Sequence, residues 1–192
     1  MLTDLRRGLI ALAVFTVVTG LAYPLVVFAA GQLAFRGAAD GSLVVTHGKV
    51  VGSRLIGQPF SDPRYFWGRP SAAGQDGYDP TASGASNLGP TSRKLADTVA
   101  RRLAALLEAN PGKTAADVPA ELVTASGSGL DPDISPAAAE FQVDRVARAR
   151  GLDPAAVRRL VRAHTRGRAL GLLGEPRVNV LELNLALDGE AR

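Results

Sequence analysis

The residues of this sequence that could do chemistry form incomplete copies of known catalytic motifs. Gly112-Lys113-Thr114 matches the end of a phosphate-binding loop, but that motif needs a glycine where this chain has Leu107. Gly84-Ala85-Ser86 begins like the nucleophile elbow of a hydrolase, but Leu88 stands where the closing glycine belongs. We therefore expect neither a nucleotide loop nor a nucleophilic serine, and we interpret Gly112 as part of a helix stop.

Side chains that bind metals or transfer protons are also sparse. The chain has no cysteine and two histidines, which are His47 in a predicted turn and His164 near a predicted helix end. A zinc site or a Ser-His-Asp triad is therefore unsupported. Asp131 and Asp133 are placed either to hold a divalent cation or to cap the helix that follows them, and we favour capping. Because no carboxylate pair or nucleophile cluster stands out, we expect no metal site and no active site.

The charge of the chain does not indicate a nucleic-acid partner. The formal net charge is +4, and the isoelectric point is about 10.0. The basic segments Arg93–Arg102 and Arg158–Arg168 lack the interleaved aromatic residues that stack on bases. We therefore attribute the excess of positive charge to a solvated surface and predict no binding of nucleic acid.

The first predicted secondary-structure element of the chain is an apolar segment near the N-terminus. No charged residue occurs from Gly8 to Phe35, which predicts a helix long enough to cross the roughly 30 Å hydrocarbon core of a lipid bilayer. The alternatives are a buried core helix and a signal peptide cut near Ala29 or Ala30, although the apolar core of a signal peptide usually runs only about 7–15 residues. We predict a transmembrane helix at residues 8–35, with a kink at Pro24.

The charges that flank this helix predict its orientation. Arg6 and Arg7 precede the apolar segment, and basic residues favour the cytoplasmic side of a membrane. Arg36 follows the segment at once and makes the bias smaller. We predict a cytoplasmic tail at residues 1–7 and an extracytoplasmic domain at residues 36–192.

The segment after the apolar span alternates between strand, loop and helix signals. Leu43–Thr46 and Lys49–Ile56 predict a hairpin that turns at His47-Gly48. Gln58–Pro90 predicts a long loop, and we expect it to be ordered because it contains the aromatic cluster Tyr65–Trp67. The three predicted helices are Ser92–Asn110, Ser135–Arg150 and Asp153–Thr165.

The last predicted element is a strand. Val178–Leu187 alternates apolar and polar residues with one slip at Val180-Leu181, where a bulge would fit. We expect this strand to pair with the hairpin. The predicted fold class is therefore α+β: one N-terminal transmembrane helix, then an extracytoplasmic domain with a small antiparallel sheet of about three strands and about three helices.

Four segments of the predicted domain, called blocks below, contain glycine-bearing loops whose sequences are distinctive and do not repeat. They are Gly52–Ala72, Ser83–Ser92, Val118–Leu152 and Gly174–Asp188. Their glycines either permit close approach to another chain or an ion or only form tight turns, and the residues alone leave both open. In content and order, the blocks resemble the C subunit of the Kdp potassium-transporting ATPase. This resemblance extends from the apolar span to Asp188.

The resemblance implies an accessory, non-catalytic subunit of a bacterial or archaeal plasma-membrane complex that hydrolyses ATP to import K⁺. The implied partners are a channel-like A subunit, a P-type ATPase B subunit and a small F subunit. The resemblance also implies a catalytic chaperone that raises the ATP affinity of the ATPase subunit. The alternative is a single-pass binding or sensor protein of the cell envelope. The chain departs from the family pattern at Asp79, Ala85 and Asp133, which makes these positions poor candidates for an indispensable ligand.

Within this resemblance, we predict that two segments face the channel-like subunit, because aromatic anchors are common at interfaces. The residues are Tyr65, Phe66, Trp67, Ser126, Gly127, Ser128 and Gly129. We expect ATP to act through the complex and not through a pocket in this chain, since only Met1–Arg7 would lie in the cytoplasm. Any effect on ATP affinity would then be a coupling free energy between sites, with the membrane helix around Pro24 as one possible carrier.

Overall fold

The structure is a computed structural model that describes residues 1–190 of the 192-residue chain. The chain divides into two compact units, Met1–Leu43 and the part that begins at Val44. The first unit is helical, and the second combines helices with small antiparallel sheets. The predicted α+β class with an N-terminal apolar helix is therefore confirmed.

The first unit is a long apolar helix with an internal irregularity. Helices α1 (Leu2–Val17) and α2 (Tyr23–Ala34) flank the π-helical stretch Val18–Ala22, and the short helix α3 (Arg36–Ala39) follows. The segment Leu2–Ala34 has 33 residues and a mean hydropathy of 2.2, and none of its most apolar window is buried. Within residues 1–190 it is the one helix long and apolar enough to cross a membrane.

The π-helical stretch lies immediately before Pro24. Proline has no N–H, and its ring collides with the carbonyl four residues earlier in an α-helix. A local change to π geometry is one way in which a membrane helix accommodates this conflict. The helix geometry thus changes at the place where the sequence predicts a kink, and the kink itself stays a prediction.

Three helices of the second unit begin and end close to their predicted limits. They are α4 (Arg93–Ala109), α5 (Pro136–Arg150) and α6 (Pro154–Ala163). The side chains that cap their first turns belong to Ser92, Ser135 and Asp153. Each cap accepts a backbone N–H that the helix itself leaves without a partner. Gly151 ends α5 in the left-handed conformation, with φ at 66°.

The strands form two small sheets. The hairpin consists of β1 (Leu43–Thr46) and β2 (Lys49–Ser53). The hairpin was predicted, but its second strand ends at Ser53 and not at Ile56. The second sheet is antiparallel and contains β3 (Asp133–Ile134), β4 (Thr165–Arg166) and β5 (Arg177–Asn179), with β5 in the centre. The prediction that the last strand pairs with the hairpin is wrong, because β5 pairs with β3 and β4.

The predicted strand Val178–Leu187 is wrong beyond its first two residues. The chain leaves β5 at Asn179 and continues as helix α7 (Val180–Glu190). Asn179 Oδ1 accepts the N–H of Glu182 at 3.1 Å and so caps the new helix. The buried side chains recur at helical spacing, at Val180, Leu181, Leu183, Asn184 and Leu187. The slip at Val180-Leu181 that resembled a bulge is therefore the start of α7. With α4, α5 and α6, the described part of the second unit has four α-helices, whereas about three were predicted.

The core of the second unit lies between the helices and the three-stranded sheet. Its members include Phe141, Val143, Val146, Val157, Val161, Val178, Leu183 and Leu187. Phe66 joins this core from the long loop and is 0% exposed. The prediction of an ordered loop is therefore confirmed, because its aromatic cluster is anchored in the core.

Candidate functional site

The aromatic loop Tyr65–Trp67 is held on the core by two amide side chains. The N–H and the carbonyl of Phe66 bond to Oδ1 and Nδ2 of Asn184 at 2.8 and 3.0 Å. The N–H and the carbonyl of Trp67 bond in the same way to Oε1 and Nε2 of Gln142, at 2.8 and 3.0 Å. Each amide thus supplies the donor and the acceptor that a neighbouring β-strand would supply.

A buried arginine completes this arrangement. Arg145 is 3% exposed, and its Nη1 donates to the carbonyls of Pro63 and Tyr65 at 2.7 and 3.0 Å. Its guanidinium lies over the ring of Trp67 at 3.9 Å from the centroid, which is a favourable cation–π distance. Burial lowers the pKa of Arg145 to about 10, so the side chain remains charged at neutral pH.

The glycine-rich segment Ser126–Gly129 is braced by two other loops. The carbonyl of Ser128 accepts the N–H of Gly84 at 2.8 Å. Close by, the carbonyl of Leu130 accepts the N–H of Gly57 at 2.8 Å. Residues from three of the four blocks singled out in the sequence therefore meet at this segment.

Arg69 connects the aromatic loop to the glycine-rich segment. Its Nη1 lies 3.0 Å from Asp131 Oδ2 in an ion pair, and its Nη2 donates to the carbonyl of Ala125 at 3.4 Å. The carbonyl of Arg69 in turn accepts the hydroxyl of Tyr78 at 2.7 Å. The two segments predicted as an interface are thus neighbours in the fold, although about sixty residues of chain separate them.

An apolar groove opens beside the aromatic loop. It has a volume of about 220 Å³ and is lined by Phe60, Trp67, Gly68, Pro70, Arg102, Ala105, Leu106 and Leu122. Arg102 is the charged member of this lining, and its Nη1 donates to the carbonyl of Val123 at 3.0 Å. Partial burial lowers the pKa of Arg102. An apolar groove with one directed cation suits the side chains of another protein chain.

The predicted interface residues differ in how accessible they are. Gly127 and Ser128 are exposed, and Trp67 is half-buried at the edge of the groove. Phe66 and Gly129 are buried, and Ser126 is 3% exposed with no hydrogen-bond partner for its hydroxyl among the described residues. Tyr65 donates its hydroxyl to Asp188 at 3.1 Å. The predicted residues that are open to a partner are therefore Gly127 and Ser128, together with the exposed parts of Tyr65 and Trp67.

Neither Asp131 nor Asp133 caps a helix, so the prediction that favoured capping is wrong. Asp131 pairs with Arg69, while Asp133 Oδ2 lies 3.0 Å from Nε of Arg177. Ser135 provides the cap of α5 instead. Burial is the main cause of a raised pKa at Asp133. Within residues 1–190, no group of three or more histidine, cysteine, aspartate or glutamate side chains is placed to hold a metal ion.

The residues that position the site were missed by sequence reasoning. Gln142, Arg145 and Asn184 are polar, and the strand prediction counted Asn184 only as one of the polar residues in an alternating pattern. Their apolar neighbours in the sequence could have indicated that they are buried, since Gln142 stands between Phe141 and Val143. Buried polar side chains of this kind must be paired, which makes them structural or functional.

The chain thus contains an apolar helix long enough to cross a membrane, followed by an α+β domain. In that domain, a buried polar network holds the aromatic loop, and the Gly127-Ser128 turn and the apolar groove are exposed. These features define the class as a membrane-associated protein with an N-terminal apolar helix and an α+β domain. The chain belongs to the family described as "K+-transporting ATPase, c chain", whose profile matches residues 5–189.

Several curated relatives support this assignment over nearly the full chain. The protein from Sorangium cellulosum (strain So ce56) is 63% identical over 98% of this chain and 99% of its own length. The protein from Variovorax paradoxus (strain S110) is 58% identical, over 97% and 96% of the two chains. The protein from Methylococcus capsulatus (strain Bath) is 56% identical over 98% of both. All three are named "Potassium-transporting ATPase KdpC subunit". The resemblance drawn from the four sequence blocks is therefore confirmed.

Proposed function

We propose that this chain is a non-catalytic subunit that supports assembly of the potassium-importing complex and raises the ATP affinity of its P-type ATPase subunit. Its partners are the channel-like A subunit, the ATPase B subunit and the small F subunit. The observation that carries the proposal is the exposed Gly127-Ser128 turn, which is held in place because the carbonyl of Ser128 accepts the N–H of Gly84 at 2.8 Å. Membership of the family favours this role over that of a cell-envelope sensor.

The proposed topology places the second unit outside the cytoplasm. Arg6 and Arg7 precede the apolar helix, and such residues favour the cytoplasmic side. The chain then crosses the plasma membrane once and presents the Gly127-Ser128 turn to the outer face of the channel-like subunit. This subunit selects the potassium ion in the family, so the contact supports its outer mouth structurally.

A cysteine at Ser128 tests the orientation and the interface together. The chain has no cysteine of its own, so Ser128→Cys carries a unique label on an exposed position. We expect a membrane-impermeant maleimide to label this variant in intact spheroplasts when the chain is expressed alone. In the assembled complex, we expect labelling to be slower by about tenfold, because a core interface position is removed from water.

The matched control is Ala149→Cys, an exposed position on α5 that we expect to be labelled equally in both states. Labelling of Ser128→Cys only after lysis would contradict the orientation. Equal labelling of Ser128→Cys in the free and assembled chain would remove this turn from the interface.

The influence on ATP is proposed to be indirect. Gly112 follows the end of α4 with φ at 88°, and Lys113 is paired with Asp144 at 3.3 Å. These features support a helix stop and not a phosphate loop. Near the glycine-rich segment Ser126–Gly129, the N–H of Asp133 donates to the carboxylate of Asp131. The N–H of Ser135 donates to the carboxylate of Glu121. These donors are occupied, and the acidic partners repel phosphate.

Nucleotide measurements on the full-length chain and on the complex test this coupling. We expect no saturable binding of ATP to the purified full-length chain at millimolar concentration or below. We expect omission of this chain from the complex to raise the apparent KM for ATP by about tenfold, which corresponds to an ordinary coupling of about 1–3 kcal/mol. Saturable binding to the isolated chain would favour direct contact. An unchanged KM would show that the chain does not act on ATP affinity.

A further inference from the structure

The apolar groove beside the aromatic loop contains a cation whose charge this chain does not balance. Arg102 lines the groove from α4, and its Nη1 donates to the carbonyl of Val123 at 3.0 Å. Burial is the main cause of its lowered pKa, and the other groups that act on this pKa are Tyr78 and Arg101. Neither is a carboxylate, so no acidic side chain among the described residues compensates Arg102. A partly buried cation of this kind favours an anion from outside the chain.

Trp67 forms a fixed wall of the same groove. Its Nε1 donates to the carbonyl of Asp62 at 3.0 Å, and the guanidinium of Arg145 lies 3.9 Å from the centroid of its ring. The amide of Gln142 holds the backbone of Trp67 on both sides. The indole therefore keeps its position before any partner arrives, and a preformed groove binds with a smaller loss of conformational entropy.

The size and the lining of the groove decide among the anions that could enter it. Its volume of about 220 Å³ is smaller than the roughly 300–1,000 Å³ of small-molecule sites. Anionic lipid is recognised by clusters of about 4–8 basic residues, whereas Arg102 is the one charged residue among the described residues of the lining. A free inorganic anion would lose its hydration against apolar walls. A carboxylate on an apolar stem fits both the volume and the single charge.

We propose that the groove receives an aspartate or glutamate side chain of another subunit of the potassium-transporting complex, together with an apolar side chain next to it. The carboxylate accepts the N–H groups that Arg102 directs away from Val123, and an arginine can give a carboxylate two parallel bonds. The apolar side chain packs between Trp67 and Leu122. Tryptophan and arginine in a pocket are typical of the residues that dominate binding energy. The inference rests on the proposed function, because the acidic residue must belong to another subunit.

A lysine in place of Arg102 tests for this carboxylate directly. A water-soluble carbodiimide activates a carboxylate, an amine in contact with it forms an amide bond, and the lost oxygen leaves with the carbodiimide as a urea. In the purified detergent-solubilised complex of Arg102→Lys, we expect this reaction to join the chain to an aspartate or glutamate of another subunit. Mass spectrometry of the linked peptides identifies that residue.

The matched control for the coupling is Arg101→Lys, at the exposed neighbouring position of the same helix. We expect no such product from this control, because the reaction adds no spacer and needs direct contact. A product with lipid only, a product with a second copy of this chain only, or no product above the control would each overturn the proposal.

Ala105→Trp tests the groove without changing a charge. Ala105 is exposed and lines the groove, whereas Ala104 is exposed and does not. We expect Ala105→Trp to weaken binding to the remaining subunits about tenfold, because the apolar side chain of the partner loses its burial. We expect Ala104→Trp to bind like the wild type, and both free chains to melt like the wild type, since surface positions change stability little. Equal binding by the two variants would show that the groove is not a contact.

The outcomes separate this inference from the function on which it rests. If Ala105→Trp assembles like the wild type while omission of the chain still raises the apparent KM for ATP, the inference fails and the proposed function stands. If omission leaves this KM unchanged while Arg102→Lys couples to another subunit, the effect on ATP fails and the contact in the groove stands.

Discussion

Replacing Asn184 by leucine should lower the free energy of unfolding by about 3 kcal/mol. The variant keeps the branched shape and the number of heavy atoms of the side chain but leaves the N–H and the carbonyl of Phe66 buried without partners. Each such group costs about 1–3 kcal/mol, and the added apolar surface of leucine offsets a part of this loss. Asn184 is 2% exposed and Phe66 is 0% exposed, so water cannot replace the missing bonds.

Thermal unfolding of the full-length chain in detergent measures this effect. The protein has one tryptophan, and Trp67 lies next to Phe66, so its fluorescence reports on the affected loop. A loss of this size lowers the melting temperature of a domain of this length by about 10 °C. The control Leu185→Asn makes the reverse exchange at the next residue, which is half-buried, and should cost only about 1 kcal/mol. Equal melting of Asn184→Leu and the wild type would show that the amide does not hold the aromatic loop.

Replacing Gly129 by alanine should destabilise the second unit by about 3 kcal/mol and displace the predicted interface loop. Gly129 has φ at 69°, and a Cβ there would lie 2.7 Å from the backbone nitrogen of Ala73 and 2.7 Å from the carbonyl oxygen of Gly84. The left-handed conformation costs alanine about 1–2 kcal/mol, and forcing backbone atoms apart adds about 1–3 kcal/mol. The bond from Gly84 to Ser128 would be strained by the same displacement.

The matched control for this variant is two residues away. A Cβ at Gly127 would meet no heavy atom within 4 Å, so Gly127→Ala should change stability by less than about 0.5 kcal/mol. Thermal unfolding and amide hydrogen exchange of Gly84 measure the two effects. If the two variants melt at the same temperature, the close packing around Gly129 does not contribute to stability.

Local signals in the sequence predicted most of the helices, including the long apolar helix at the N-terminus. The caps at Ser92, Ser135 and Asp153 act through backbone groups two or three residues away, and the apolar span needs only its own composition. Both depend on chemistry within one turn or one segment, which a sequence shows directly. The prediction of the hairpin also depends on a short stretch of sequence, because two residues determine its turn.

Tertiary packing decided the last element and the site. The alternation in Val178–Leu187 suits a strand, but burial of one face against the core and the cap from Asn179 make α7 helical. The same packing turned Asn184 inward. The sequence by itself determined the family, the apolar helix and the presence of the four blocks. Only the tertiary structure decided which blocks meet and which side chains hold them, because partners such as Phe66 and Asn184 are 118 residues apart in the chain and no local pattern records a bond over that distance.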